Sequence, residues 1–188
     1  MSAVFGGFVT HDSRMVRRQA FAAFEQLVED RLDACYRLAA VLLGDRGEAE
    51  EATHEAMLRA QRSWPRLRDP EAAAPWLDRI VVNECRDRLR RRRVASGLFT
   101  RETARPLPLE ESAVGPSFDE RDALRRALAV LSAEQHIVVV LRYFLDLPLE
   151  AIADRAGVPL GTVKSRLHAA LDYLRAAYQA DARLDGDR

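Results

Sequence analysis

Five side chains near the carboxyl end have the types and spacing to read duplex DNA: Thr162, Lys164, Ser165, Arg166 and His168. At helical period, Val163, Leu167, Leu171 and Leu174 form one apolar stripe. Thr162, Ser165 and His168 project away from that stripe, with Lys164 and Arg166 at its flanks. Short polar groups of this kind reach base edges in a major groove, while lysine and arginine hold phosphates or read guanine. Such a helix needs a scaffold to orient it. Leu149, Ile152 and Ala153 supply a short preceding helix, Gly157 can adopt the left-handed conformation of a tight turn, and Pro159 follows. The pattern is that of a helix-turn-helix. An ordinary helical hairpin with a solvated basic face is the competing reading.

Two concentrations of charge lie upstream. Between Arg86 and Arg105 stand eight arginines against only Asp87 and Glu102. Between Asp45 and Glu55 stand five carboxylates against Arg46 alone. The chain as a whole has 29 basic and 29 acidic residues and a formal net charge of zero, which argues against coating nucleic acid through bulk charge. The separated patches instead suit phosphate at one place and a basic protein surface at another.

Helices must position these groups. Phe21, Phe24, Val28, Leu32, Cys35, Leu38 and Leu42 fall on one stripe, which ends at Gly44-Asp45. A second helix is expected from about Gly47 to Ser63, with an acidic first turn that suits the helix dipole. Pro65 and Pro70 bracket an arginine-bearing loop, and a third helix is expected over about residues 71–93 with Trp76, Leu77, Ile80, Val81 and Leu89 inward. Residues 95–117 lose all periodicity and carry Pro106, Pro108, Gly115 and Pro116, the composition of an inter-domain linker. Helical pattern returns near Phe118, with Leu124, Ala127, Leu128 and Leu131 aligned, and Ser132 to Gln135 reads as a capping box. The expectation is an all-α chain of two small helical domains, residues 18–94 and 118–180. A flexible extension (residues 1–17) and a flexible tail (residues 181–188) flank them.

Several classes of function are disfavoured. His54-Glu55 begins a zinc-protease signature, but Leu58 stands where the second histidine belongs. No phosphate-binding loop, dinucleotide fingerprint or nucleophile elbow occurs, so no catalytic residue, metal or cofactor is expected. Cys35 and Cys85 sit in apolar patterns without a ligand cluster, as buried reduced thiols do. No run approaches the roughly 18 apolar residues that span a bilayer, and no secretory leader is evident. The expected location is the cytoplasm.

The segment from Leu149 to Leu167, together with Leu131 to Gln135 and Val140 to Phe144, resembles the promoter-reading domain of extracytoplasmic-function sigma factors. Similar helix-turn-helices occur in response regulators, so the first half carries the decision. Tyr36 to Ala39, Leu43 to Arg46, Ala49 to Glu51 and Glu55 to Ala60 resemble the family's polymerase-binding segment. Trp76, Leu77, Arg79, Ile80 and Asn83 with the arginine-rich helix end resemble its promoter-melting segment. The sequence departs from the family's habit at Ala52-Thr53-His54, and at Ala169-Ala170, where further arginines are frequent.

The resemblance implies an alternative sigma factor that binds core RNA polymerase and directs promoter recognition, without an active site of its own. It assigns Glu48, Glu50, Glu51, Glu55, Met57 and Leu58 to the polymerase. Arg66, Arg68, Arg79, Asn83, Arg86, Arg88 and Arg90 fall to the minus-ten element, with Arg88 and Arg90 to Arg93 tracking backbone. Thr162, Lys164, Ser165, Arg166 and His168 fall to the minus-thirty-five element. The implied partners are core polymerase (the beta-prime clamp and beta flap), promoter DNA and an anti-sigma protein. No small-molecule substrate or membrane insertion is implied. A stand-alone DNA-binding regulator and a helical adaptor without DNA contact remain as rivals.

Overall fold

The computed structural model describes residues 9–96, 128 and 131–185. Among these residues no strand occurs. The first half contains α1 (Val9–Leu43), α2 (Arg46–Ser63) and α3 (Ala73–Ser96), with 3-10 turns at Trp64–Arg66 and Pro70–Ala72. The second half contains α4 (Ala133–Tyr143), α5 (Leu149–Ala156) and α6 (Leu160–Asp185). The expected helix from Phe118 and most of the expected linker lie outside the described residues.

Helix α1 turns at Gly44, whose φ of 67° is the left-handed conformation and whose N–H bonds the Ala40 carbonyl at 2.8 Å. Asp45 then caps α2 by accepting from the Glu48 N–H at 2.9 Å. The inward face of α2 is Ala49, Ala52, Ala56 and Ala60, all fully buried. Because alanine is short, this face brings α2 close to Cys35, Leu38 and Leu42 of α1 and to Leu77, Val81 and Cys85 of α3. Thr53, at a departure from the family pattern, is also buried and returns its hydroxyl to the Ala49 carbonyl at 2.7 Å. Phe24, Trp64 and Trp76 stack in tilted succession, with centroids 5.5 and 6.0 Å apart, and the Trp64 indole donates to the Ala20 carbonyl. Trp76 is thus half-buried and packed against the core.

The helical start lies earlier than the sequence pattern implies. Residues 9–17, expected as a flexible extension, continue α1, and residues 181–185 continue α6 into the expected tail. Neither stretch contains glycine or proline, and a packed helix propagates outward at little nucleation cost.

In the second half, Ser132 and Gln135 form the complete reciprocal capping box of α4. Helix α5 ends on Gly157, and its neighbour Val158 bonds back to Ala153 at 3.1 Å. Ile137, Val138, Val140, Leu141, Ile152, Ala156 and Val163 join the same apolar cluster as the first half. The two halves are thus packed together, α5 and α4 lying on α3. Leu131, Val139 and Ala170 form a smaller cluster of their own, so the alanine at 170 is a core residue of α6.

Both thiols are buried and free, and desolvation pushes each up to about 12, in keeping with inert reduced cysteines. His136 is pushed down to about 4, first by burial and then by Arg93, and its Nε2 has no hydrogen-bond partner among the described residues.

Two predictions follow from this packing. Gly157 has φ 67°, and a Cβ there would lie 3.0 Å from Arg79 Nη2. Gly157→Ala should cost about 1–2 kcal/mol in urea unfolding. Gly161→Ala, with nothing within 4 Å of the new Cβ, should not destabilise. For His136, the unfolded chain takes up a proton near pH 6.5 and the folded chain only near 4, so stability is full above 6.5 and falls as pH drops towards 4. His136→Asn should flatten that slope in paired titrations at pH 7.5 and 5. Identical slopes would refute the assignment.

Candidate nucleic-acid interface

The helix expected to read duplex DNA is α6. Lys164, Ser165 and His168 are exposed and Thr162 is half-buried on its outer side, while Val163 is fully buried against α5. Ser165 returns its hydroxyl to the Thr162 carbonyl at 3.1 Å, and His168 lies 3.4 Å from Asp172 one turn on. Arg166 is turned aside from this surface. Its guanidinium lies 2.8 Å from Glu134 of α4.

The minus-ten candidates divide into three groups. Arg66 and Arg68 are exposed on the segment between α2 and α3, where Asp69 accepts from the Glu71 N–H at 3.0 Å and fixes the turn. Asn83 lines a shallow cavity of about 240 Å³ with Arg59, Arg62, Ser63 and Ile80. That volume is below the roughly 300–1,000 Å³ of drug-sized sites and suits one planar group flanked by cations. Arg59 and Arg62 were not singled out from sequence. They stand one turn apart on α2, and only the packing of α2 against α3 brings them to Asn83.

On α3, Arg86, Arg88, Arg90, Arg91 and Arg92 are engaged in ion pairs. Glu84 is 3 % exposed and lies 3.1 Å from Arg59, 3.3 Å from Arg88 and 4.0 Å from Arg91. Arg88 also reaches Glu51 at 3.1 Å, and its pKa is raised by the Glu51 and Glu84 carboxylates, which outweigh its partial desolvation. Arg92 pairs with Glu48 at 2.6 Å and donates to the Leu43 carbonyl at 2.6 Å. Arg86 contacts the Asn83 side-chain oxygen, and donates to the Ala156 carbonyl at 2.7 Å. Burial lowers the pKa of Arg86, opposed by Glu134. Arg79 is exposed beside Gly157.

The acidic face of α2 is accordingly split. Glu48 and Glu51 neutralise α3. Glu50 and Glu55 are exposed and form no ion pair among the described residues, with Met57 and Leu58 half-buried beside them. No cluster of three or more metal-ligating side chains occurs among the described residues, and no helix there is long and apolar enough to cross a membrane.

Comparison with known proteins gives the family. The sigma-70 region 2 family matches residues 27–94, and the sigma-70 region 4 family matches residues 127–176. The RNA polymerase sigma-E factor of Streptomyces coelicolor is 32% identical over 169 residues, spanning 85% of this chain and 90% of that protein. The ECF RNA polymerase sigma factor SigM of Mycobacterium tuberculosis is 37% identical over 147 residues, spanning 77% of this chain and 71% of that protein. In fold, the chain is similar to the sigma factor RpoE of Bartonella quintana, co-crystallised with the anti-sigma factor NepR. That match has a TM-score of 0.60 at 24% identity and covers 84% of this chain and 98% of that one. CnrH, in complex with the cytosolic domain of CnrY, gives 0.60 at 21% identity, covering 89% and 97%. With both halves matched in order by sequence as well as by fold, the chain belongs to the extracytoplasmic-function sigma factors, alternative sigma factors that direct RNA polymerase to promoters.

Proposed function

We propose that the work of this sigma factor is divided between residues 18–94 and 118–180. The first unit engages the beta-prime clamp of core polymerase through the exposed part of α2, Glu50 and Glu55 with Met57 and Leu58. Charge complementarity there steers and orients docking more than it sets affinity. The cavity at Asn83 accepts a base flipped from the melting minus-ten element, with Arg59 and Arg62 at its rim and Arg66 and Arg68 along the strand. Unstacking one base costs on the order of a few kcal/mol, which phosphate contacts and stacking offset. The outer side of α6 lies in the major groove of the minus-thirty-five element, where Thr162, Lys164, Ser165 and His168 face out and Arg166 joins them once released from Glu134. The second unit also meets the beta flap.

The observation that carries this reading is the cavity at Asn83 in a chain that also bears a helix-turn-helix closed at Gly157. A lone regulator would have no use for a single-base pocket. The phosphoryl transfer belongs to the polymerase, and this chain acts in the cytoplasm as a non-catalytic initiation subunit. The resemblance supports an anti-sigma protein as a further partner.

Run-off transcription with purified core polymerase, with and without the chain, is the direct test. Transcription from the cognate promoter should depend on the added chain; its absence would overturn the reading. Within the holoenzyme, Lys164→Ala with Arg166→Ala should weaken capture of the upstream duplex by tenfold or more, since a good bidentate base contact alone is worth about 1–3 kcal/mol. Asn83→Ala should leave that capture intact and reduce promoter opening, read as permanganate reactivity of unpaired thymines. Glu50→Lys with Glu55→Lys should lower core binding on a sizing column while leaving the circular dichroism unchanged.

A further inference from the structure

The residues assigned to the two promoter elements meet one another in this structure. Glu134, at the start of α4, has its Oε1 2.5 Å from Arg90 and 3.4 Å from Arg86, both on α3. Its Oε2 lies 2.8 Å from Arg166 on the recognition helix. One carboxylate, 18 % exposed, therefore faces three guanidinium groups drawn from both DNA surfaces. Around it, Arg86 donates to the last carbonyl of α5 at Ala156, Arg93 donates to the Leu131 carbonyl, and Arg79 packs on Gly157. Cations at the carboxyl end of a helix are favourably placed, so α3 caps the scaffold helix of the helix-turn-helix. A second carboxylate repeats the arrangement. Asp78 of α3, 5 % exposed, holds Arg31 of α1 at 2.7 Å and Arg155 of α5 at 3.0 Å.

This geometry is incompatible with simultaneous engagement of both promoter elements. Sites some 25 base pairs apart lie roughly 80 Å apart along B-form DNA, at about 3.4 Å per step. Here Arg86 and Arg166 touch the same side chain. The chain must open before both surfaces reach DNA, and opening must break the contacts at Glu134 and Asp78.

We infer that Glu134 and Asp78 form a two-point latch that holds the free chain closed, Glu134 standing in for phosphate against arginines that the promoter later claims. The inference rests on the assignment of those arginines to DNA. Buried ion pairs contribute little net stability but are sensitive to loss of one partner. Removing the Glu134 charge leaves Arg86, Arg90 and Arg166 crowded without a counter-charge, which favours separation of the halves. The latch thus ties exposure of the DNA surfaces to domain separation, and any partner that wedges the halves apart, polymerase above all, unmasks them together.

The test uses the full-length chain without polymerase. Asp78 is buried within the first half, so the latch is broken from the other side, with Glu134→Gln and Arg155→Ala, singly and together; Arg31–Asp78 then stays intact. The parent should show a radius of gyration in small-angle scattering near the roughly 16 Å of a compact chain of this length. The double variant should expand by several ångströms at unchanged helical content and bind a duplex carrying the minus-thirty-five element at least tenfold more tightly than the parent. A parent that is already extended would overturn the latch. So would a double variant with the parent's dimensions and affinity. Run-off transcription by the same proteins separates this from the function itself. If the parent supports initiation but the variants do not open, the latch fails and the sigma assignment stands. If the variants open but no protein supports initiation, the sigma assignment fails and the latch stands as a purely conformational device.

Discussion

A helix that carries arginine at 79, 86, 88, 90, 91, 92 and 93 can be packed against other helices only if carboxylates come to it. That constraint organises this molecule. The apolar stripe of α3, Leu77, Val81 and Cys85, lies in the core, but the flanks of the same helix bristle with guanidinium groups. Helix α2 answers with Glu48 and Glu51, α3 itself with the buried Glu84, and α4 with Glu134.

The matching also explains why runs of like charge mislead when taken one segment at a time. The acidic stretch of α2 looks like a uniform docking face, yet Glu48 and Glu51 are drawn into ion pairs with Arg92 and Arg88, and Glu50 and Glu55 form none among the described residues. Arg88, Arg91 and Arg92 look like a backbone-tracking cluster, yet each has a carboxylate within 4.0 Å in the folded chain. Charged side chains on α3 thus serve the folding of this chain first.

Much of the architecture was legible in sequence because its signals are local. The capping box at Ser132 and Gln135, the turn at Gly157 and Pro159, the end of α1 at Gly44 and the stripes of α1 and α6 each occupy a few neighbouring residues. What was not legible depends on distance or on the absence of pattern. The inward face of α2 is alanine, which carries little hydropathy contrast. Residues 9–17, the first turns of α1, show no apolar stripe in the sequence. Asp78 and Arg155 are 77 residues apart, and each reads alone as an ordinary solvated charge. Arg59 and Arg62 gain meaning only when α2 is laid on α3 beside Asn83. Docking of the second half onto the first was invisible for the same reason, since the hydrophobic residues involved already serve their own domains.

The aromatic stack has an optical consequence. Trp64 and Trp76 are the chain's two tryptophans, and both lie in the first half at 6.0 Å from one another. Three of its four tyrosines, Tyr143, Tyr173 and Tyr178, are in the second half and exposed. Indole emission therefore witnesses only the first half. The second half could melt, dock or detach in the dark, and a spectroscopist following tryptophan alone would record a single quiet transition for a protein made of two parts.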